Sequence, residues 1–210
     1  MTIKVFLLDD HEVVRLGLRQ LLEGEPDIEV VGDAGTAAKA TVQIPALQPD
    51  VAVLDVRLPG QSGLDLQREL AAANRGLPIV FITGHGDIPM SVQAMKGGAI
   101  EFLTKPFRDQ DLLDAIQLGL FRDRDRRETD EALAALRERF GSLSPREREI
   151  VIQVARGRLS KQIAGDIGIA EATVKVHRSR AMRKMNARSL PELGRMADKL
   201  KLVPEKPQRF

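Results

Sequence analysis

The chain of 210 residues, of which 43% are hydrophobic and 30% charged, has room for one large domain or two small ones. It contains no run of about 18 apolar residues and begins without the pattern of a secretory signal, so we expect no membrane span and a cytoplasmic protein. Zero cysteines exclude disulfides and thiolate chemistry, and three scattered histidines disfavour a transition-metal site.

Charge is distributed unevenly along the chain. Residues 1–120 carry 10 Lys and Arg against 17 Asp and Glu, a net charge of −7, whereas residues 121–210 carry 22 against 13, a net charge of +9. Opposite signs predict two domains with different partners, and the basic half is typical of proteins that bind a polyanion. Because Tyr and Trp are absent, base stacking on single strands is disfavoured, and we expect a duplex.

Five apolar runs in the first 120 residues predict strands. They are continuous and β-branched rather than alternating, which is typical of strands buried on both faces, and they lie at residues 3–8, 28–32, 51–55, 78–83 and 99–103. Helical patterns follow them at residues 13–22, 36–47, 64–73, 88–96 and 110–120. Five such units predict an α/β domain, a doubly wound five-stranded parallel sheet at residues 1–120.

The second half of the chain shows only helical patterns. Residues 121–141 are dense in both charge signs and predict a charged helical linker. Residues 142–205 predict an all-α four-helix domain, with helices at 145–155, 160–167, 171–185 and 189–200, and residues 206–210 predict a disordered tail. Ser144, Pro145 and Glu147 form a helix start signal at the beginning of this domain.

Polar side chains lie at the carboxyl ends of the predicted strands. Asp9 and Asp10 follow the first strand, Asp55 ends the third, Thr83 ends the fourth and Lys105 follows the fifth. Parallel strands bring these ends to one edge of the sheet, where ligands bind. Three carboxylates in one crevice require a cation, and Mg²⁺ suits oxygen ligands while leaving room for phosphate oxygens. The chemistry this predicts is phosphoryl transfer to a carboxylate nucleophile.

These residues resemble the receiver domain of two-component response regulators over about residues 3–120. The matching segments are the Asp9-Asp10 pair, DVRLPGQSG with Asp55, FITGHGD with Thr83, and FLTKPF with Lys105-Pro106. The resemblance implies a flavodoxin-like fold in which Asp55 accepts a phosphoryl group from a sensor histidine kinase.

The same resemblance assigns the remaining roles in the pocket. It implies that Asp10 and Asp55 hold Mg²⁺, that Asp9 acts directly or through water, and that the backbone carbonyl of Arg57 completes the protein ligands. It also implies that Lys105 and Thr83 bind phosphoryl oxygens and that Phe102 turns inward when Thr83 moves. Taken singly, each residue has a structural alternative: helix-capping aspartates, a turn residue at Asp55, a solvated lysine and a permanently buried phenylalanine.

The segment GHGDIPMSVQAMKGGAIEFLTKPF resembles the FixJ branch of this family. Members of that branch dimerise through the fourth helix and fifth strand, which implies a homodimer when the protein is phosphorylated. Val92, Met95 and Lys96 are the candidate dimer residues, with an ordinary core position as the alternative for Met95.

The basic domain contains a predicted helix-turn-helix, in which Gly168 separates two helical segments. The blocks LSPREREI, TVKVHRSRAMRKM and ARSLPEL resemble the LuxR-type (FixJ/NarL) output domain, which implies binding of double-stranded DNA through the third helix. Ser160 stands where asparagine is usual in that family, and we expect it to cap the second helix.

Helical spacing divides the third helix into two faces. Val174, His177, Ala181 and Met185 share one face and predict core positions. We expect Lys175, Val176 and Ser179 to reach base edges, and a second set to reach phosphates: Arg178, Arg180, Arg183 and Lys184, joined by Thr173 and Lys161. The alternative for any one arginine is a solvated surface charge.

We therefore predict a phosphorylation-activated transcription regulator, not an enzyme, with RNA polymerase as a further partner. An aspartyl-phosphate phosphatase of the haloacid-dehalogenase kind needs Asp-x-Asp on one loop, whereas Val56 and Arg57 follow Asp55. Two further alternatives keep the pocket: the basic domain binds protein or RNA, or it binds DNA without phosphorylation.

Overall fold

A computed structural model describes residues 2–73, 76–84 and 87–203, so the predicted tail at residues 206–210 lies outside the described residues. The chain separates into two compact units, residues 1–126 and 127–210. Across the described ranges, none of the helices combines the length and apolar character that crossing a bilayer requires.

The first unit contains a five-stranded parallel sheet, which confirms the predicted fold class. Its strands are β1 (Ile3–Leu8), β2 (Ile28–Ala34), β3 (Val51–Asp55), β4 (Ile79–Thr83) and β5 (Glu101–Thr104). The spatial order is β2-β1-β3-β4-β5, and each neighbouring pair is parallel. The order of the strands reverses between β1 and β3, and such a switch point opens a crevice at the carboxyl edge.

Five helices cover the two faces of the sheet: α1 (Glu12–Leu22), α2 (Ala37–Leu47), α3 (Gly63–Ala72), α4 (Ile88–Lys96) and α5 (Asp109–Gly141). Alternate strand residues face opposite sides. Phe6, Leu54 and Phe81 pack against α2, α3 and α4 on one face, and Leu7 and Val53 pack against α1 and α5 on the other. Burial on both faces explains why the strands are continuously apolar.

Helix α5 extends further than its predicted end at residue 120. It continues without interruption through the segment predicted as a linker and ends at Gly141. Leu136 in this segment is only 6% exposed and packs with Leu143 and Val151 in the second unit. The prediction of a helix is therefore confirmed, but its last turns are packed rather than fully solvated.

The second unit contains the four predicted helices: α6 (Pro145–Ala155), α7 (Ser160–Ile167), α8 (Glu171–Met185) and α9 (Leu190–Lys199). Helix α7 ends at Gly168, which has φ of 67° and caps the helix in the left-handed conformation that glycine adopts without steric cost. The chain then enters α8 at once, which completes the helix-turn-helix. Val174, Ala181 and Met185 are buried, as the helical spacing predicts.

A buried carboxylate joins α6 to α8. Glu147 closes a capping box with Ser144, its side chain is 4% exposed, and it accepts a hydrogen bond from Lys184 Nζ at 2.7 Å. The hydrogen bond from Lys184 and that from the Ser144 main chain hold the pKa of Glu147 below its ordinary value, although burial opposes them. Lys184 thus has a structural partner in Glu147, although 43% of its side chain remains exposed, and its phosphate contact stays a prediction.

We predict that Lys184→Gln lowers the free energy of unfolding of the second unit by about 2 kcal/mol at pH 7, because it leaves a buried carboxylate without its cation. The pKa of Glu147 is lowered in the folded state, so this contribution is complete above the ordinary value of 4.5 and is lost at lower pH. Urea denaturation of the full chain, followed by NMR signals of α8 at pH 7 and pH 3, measures both effects.

Lys175→Gln is the matched control, because Lys175 makes an exposed ion pair with Glu171 on the same helix. We expect it to leave the free energy of unfolding nearly unchanged at either pH, because solvent screens an exposed pair. Equal destabilisation by the two substitutions would contradict the assignment of Lys184 to the fold.

Candidate functional site

Three predicted side chains meet at the carboxyl edge of the sheet. Asp9 follows β1, Asp55 ends β3 and Thr83 ends β4, and their exposed fractions are 0%, 5% and 0%. Sheet-like hydrogen bonds hold the chain here, since Asp9 N donates to Ala34 O at 3.2 Å. The polar groups at this edge are therefore fixed by the ends of the strands.

Lys105 reaches this edge from the loop after β5. Its Nζ lies 2.5 Å from Asp9 Oδ2 and 2.9 Å from Asp55 Oδ2, so one ammonium group joins the two carboxylates. The main chain is fixed as well, because Lys105 N donates to Thr83 O at 2.7 Å. The Lys105–Pro106 peptide bond is cis. Burial alone lowers the pKa of Lys105, but hydrogen bonds and charge from Asp55 and Asp9 outweigh it and raise the pKa above the ordinary value.

Main-chain amides orient the two buried carboxylates. His11 N donates to Asp9 Oδ1 and Arg57 N donates to Asp55 Oδ1, each at 2.9 Å. Asp10 lies beside them in a more open position and contacts His11 Nδ1 at 2.7 Å. Each acid therefore has a defined orientation in the pocket.

The donor set fits Mg²⁺. Potential ligand atoms of Asp9, Asp10 and His11 lie within 4.8 Å of one another, and Asp55 shares Lys105 with Asp9. The three carboxylates and the single ammonium leave a net charge of about −2, which a divalent cation neutralises. Carboxylate oxygens are the ligands that Mg²⁺ prefers, and it uses only one or two of them while keeping several waters.

Gly63 keeps the loop after β3 close to the pocket. Its N donates to Val56 O at 3.0 Å, and an added Cβ would lie 2.2 Å from Asp55 O. Ser62 and Asp65 form a capping box that starts α3 at this residue. A side chain at position 63 would therefore displace the backbone that carries Asp55.

The predicted switch and dimer residues lie on the β4–α4–β5 side of the first unit. Phe102 is half-buried, and its ring centroid lies 6.5 Å from that of Phe81. Val92 and Met95 on α4 are 44% and 43% exposed, and Lys96 is exposed. Met95 is thus a surface residue, which removes the core alternative for it.

The exposed side of α8 carries most of the predicted DNA contacts. Val176 is 49% exposed, and the other exposed members on α8 are Thr173, Lys175, Ser179, Arg180 and Arg183. Lys161 is exposed on α7. Arg178 is half-buried instead and donates to Ser160 Oγ at 2.8 Å. His177 is half-buried, and its Nδ1 is buried with no hydrogen-bond partner in the described parts of the chain.

The expectation that Ser160 caps α7 is wrong. The N-cap position is Leu159, which forms no side-chain cap, and Ser160 is the first residue of the helix. Its hydroxyl accepts the hydrogen bond from Arg178 instead. The Ser160–Arg178 contact ties α8 to the start of α7.

Residue patterns missed two contributors to the pocket. Arg15 on α1 donates to Asp9 O at 2.8 Å, and Gly63 allows the close approach to Asp55. A basic residue soon after the Asp9-Asp10 pair was the available signal for Arg15. Its target is a main-chain oxygen, which no side-chain pattern reveals.

Comparison with known proteins gives consistent matches over both units. The family described as "Response regulator receiver domain" matches residues 5–117, and "Bacterial regulatory proteins, luxR family" matches residues 141–197. Nodulation protein W of Bradyrhizobium diazoefficiens is 51% identical over 93% of this chain and 86% of its own length. Transcriptional regulatory protein FixJ of Azorhizobium caulinodans is 40% identical over 93% of this chain and 92% of its own length. The solved structure of response regulator StyR has 47% identity and a TM-score of 0.75, covering 95% of this chain and 100% of that one.

We predict that Gly63→Ala destabilises the first unit by about 1–3 kcal/mol, because the new methyl group displaces the Asp55 backbone. The displaced carboxylate should also react more slowly with small phosphoryl donors. Urea denaturation and the initial rate of labelling by acetyl phosphate measure the two effects.

Gly17→Ala is the matched control, since Gly17 lies on α1 with nothing within 4 Å of an added Cβ. We expect it to leave the labelling rate unchanged and to increase stability by about 0.5–1 kcal/mol. A Gly63→Ala protein that behaves like this control would contradict the close approach at Asp55.

Proposed function

This chain belongs to the response regulators that join a receiver domain to a LuxR-type DNA-binding domain, and from that premise we propose which residues carry each step. It is a phosphorylation-dependent transcription regulator of a two-component system and not an enzyme, with a histidine kinase and DNA as its partners. The observation that carries the residue assignments is the Lys105 ammonium bound to both Asp9 and Asp55.

Asp55 is the proposed phosphoacceptor. A carboxylate oxygen of Asp55 attacks the phosphorus of the kinase phosphohistidine. The O–P bond forms as the N–P bond breaks, and the imidazole nitrogen keeps the electron pair. Lys105 already contacts Asp55, so its positive charge lies where phosphoryl oxygens arrive, and the buried Thr83 hydroxyl is the proposed donor to one of them.

Mg²⁺ is the proposed cofactor of this transfer. Asp10 and Asp55 would hold it, Asp9 would act directly or through a bound water, and the main-chain carbonyl of Arg57 would complete the protein ligands. When bound, it neutralises charge on the transferring phosphoryl oxygens. The main-chain amides of His11 and Arg57 keep the Asp9 and Asp55 carboxylates oriented toward this common region.

The new phosphoryl group would act through Thr83 and Phe102. A phosphoryl group adds strong acceptor oxygens, and movement of Thr83 toward them would vacate space for the half-buried Phe102 ring. The change would favour a homodimer through α4 and β5. The exposed side chains of Val92, Met95 and Lys96 support this surface.

The second unit is the proposed reader of duplex DNA. Lys175, Val176 and Ser179 near the start of α8 are exposed and would reach base edges in the major groove. Exposed side chains around them would bind phosphates: Lys161, Thr173, Arg180 and Arg183. Arg178 would reach a phosphate with the part of its guanidinium that Ser160 does not bind.

Domain limits follow from these roles. We assign residues 1–120 to the receiver, 121–141 to the linker and 142–205 to the DNA-binding domain. Two DNA-binding domains in one dimer would read a two-part site, because binding of the first domain raises the effective concentration of the second at its half-site. Access to promoter DNA requires the proposed cytoplasmic location, and RNA polymerase is the proposed further partner.

We predict that Asp55→Asn abolishes labelling by acetyl phosphate, because an amide oxygen is a poor nucleophile for phosphorus. Mass spectrometry of the intact chain measures the added phosphoryl group. Asp50→Asn, which precedes the same strand and accepts from Lys4 N, is the control that should label normally. Stable labelling of Asp55→Asn at the unmodified rate would refute the assignment.

We predict that Lys175→Ala and Arg183→Ala weaken DNA binding in different ways. Loss of a base contact at Lys175 should cost about 1–3 kcal/mol and relax the sequence preference. Loss of a phosphate contact at Arg183 should weaken binding to all DNA sequences alike. It should also reduce the slope of log binding constant against log salt concentration by about 1. Fluorescence anisotropy over a salt series checks both, with the exposed Lys199→Ala on α9 as the unaffected control. Identical behaviour of all three variants would remove α8 from the DNA interface.

A further inference from the structure

Two arginines on α1 share one acidic partner beside the pocket. Arg15 Nε donates to Asp33 Oδ2 at 2.9 Å, and Arg19 Nη2 donates to Asp33 Oδ1 at 2.8 Å. Burial alone raises the pKa of Asp33, but hydrogen bonds and charge from Arg19 and Arg15 outweigh it and hold the pKa below its ordinary value. Asp33 is therefore a charged anchor for both guanidinium groups.

The second contact of each arginine differs. Arg15 Nη1 donates to Asp9 O at 2.8 Å, whereas Arg19 Nη1 donates to Val30 O and Glu23 Oε1 at 3.0 Å. Arg15 is also the less exposed of the two, with 17% of its side chain exposed against 31% for Arg19. One arginine thus touches the acidic pocket and its neighbour does not.

The carbonyl of Asp9 lies in the same peptide plane as the amide of Asp10. A donor on that carbonyl therefore fixes the backbone segment that carries both acids. Asp9 is fully buried, so its oxygen would lose a hydrogen bond that water cannot easily replace if the arginine were removed. Arg15 therefore binds the main-chain oxygen of Asp9, whereas Lys105 binds its carboxylate.

We propose that Arg15 is a positioning residue for the cation site, holding the Asp9–Asp10 peptide so that both carboxylates are oriented toward Mg²⁺. The inference rests on the proposed role of these two acids as ligands. Arg15 itself contacts no ligand. Its effect is therefore expected on cation affinity more than on the rate of phosphoryl transfer once the cation is bound.

The test compares Arg15→Gln with Arg19→Gln in the full chain, because both variants lose a contact to Asp33 but only the first loses a contact to Asp9. Mg²⁺ is titrated while the amide NMR signals of residues 9–11 are followed. We expect Arg15→Gln to weaken Mg²⁺ binding about tenfold, as loss of an outer-shell hydrogen bond typically does. Arg19→Gln should stay within about twofold of the unmodified protein. At saturating Mg²⁺, Arg15→Gln should regain most of the unmodified rate of labelling by acetyl phosphate.

Equal Mg²⁺ dissociation constants for the two variants would overturn the inference, as would a labelling rate of Arg15→Gln that saturating Mg²⁺ fails to restore. If Arg15→Gln does not fold, Arg15→Lys is tested in its place. The inference then requires that the Arg15→Lys protein bind Mg²⁺ more weakly than the Arg19→Gln protein. An unmodified protein that Mg²⁺ does not shift and acetyl phosphate does not label would instead refute the proposed function. The two failures are therefore distinguishable.

Discussion

The bridge from Lys105 to Asp9 and Asp55 is the interaction on which the pocket depends. Two buried carboxylates at one sheet edge repel each other, and two unit charges about 4 Å apart interact by about 4 kcal/mol at the effective dielectric constant of a protein surface. One ammonium group at 2.5 and 2.9 Å from them offsets that repulsion. Asp9 follows β1, Asp55 ends β3 and Lys105 follows β5, so the parallel sheet brings the three together.

The same group of charges determines which ligand the pocket favours. Asp10 adds a third carboxylate, so the pocket stays negative by about two charges and suits a divalent cation. Lys105 connects that charge to the loop after β5, and its amide donates to the main chain of Thr83. Arrival of a phosphoryl group at Asp55 would therefore change the electrostatic forces on Lys105 and on the end of β4, the strand that precedes α4. The proposed phosphorylation of Asp55 would in this way act on the exposed α4 surface.

The strands and the acidic pocket were predictable because their determinants are local. Continuous apolar runs identified the strands, and polar residues directly after them identified Asp9, Asp55 and Lys105 as neighbours. Long-range partners were not predictable in this way. Ser160 was expected to cap α7, yet its hydroxyl accepts from Arg178, 18 residues away. Helical spacing predicts Lys184 as a phosphate contact and does not reveal that it binds the buried Glu147, 37 residues away. Which partner a flexible basic side chain selects depends on packing between helices, which spacing within one helix does not encode.

The central claim is that chemistry at Asp55 controls DNA binding by the second unit. The most direct measurement selects fragments from a genomic DNA library at fixed salt, with and without beryllofluoride and Mg²⁺, which together mimic phosphoryl-aspartate. The account predicts enrichment of a two-part site only with the mimic, because dimerisation raises the effective concentration of the second DNA-binding domain. Equal enrichment of the same site in both conditions would contradict it.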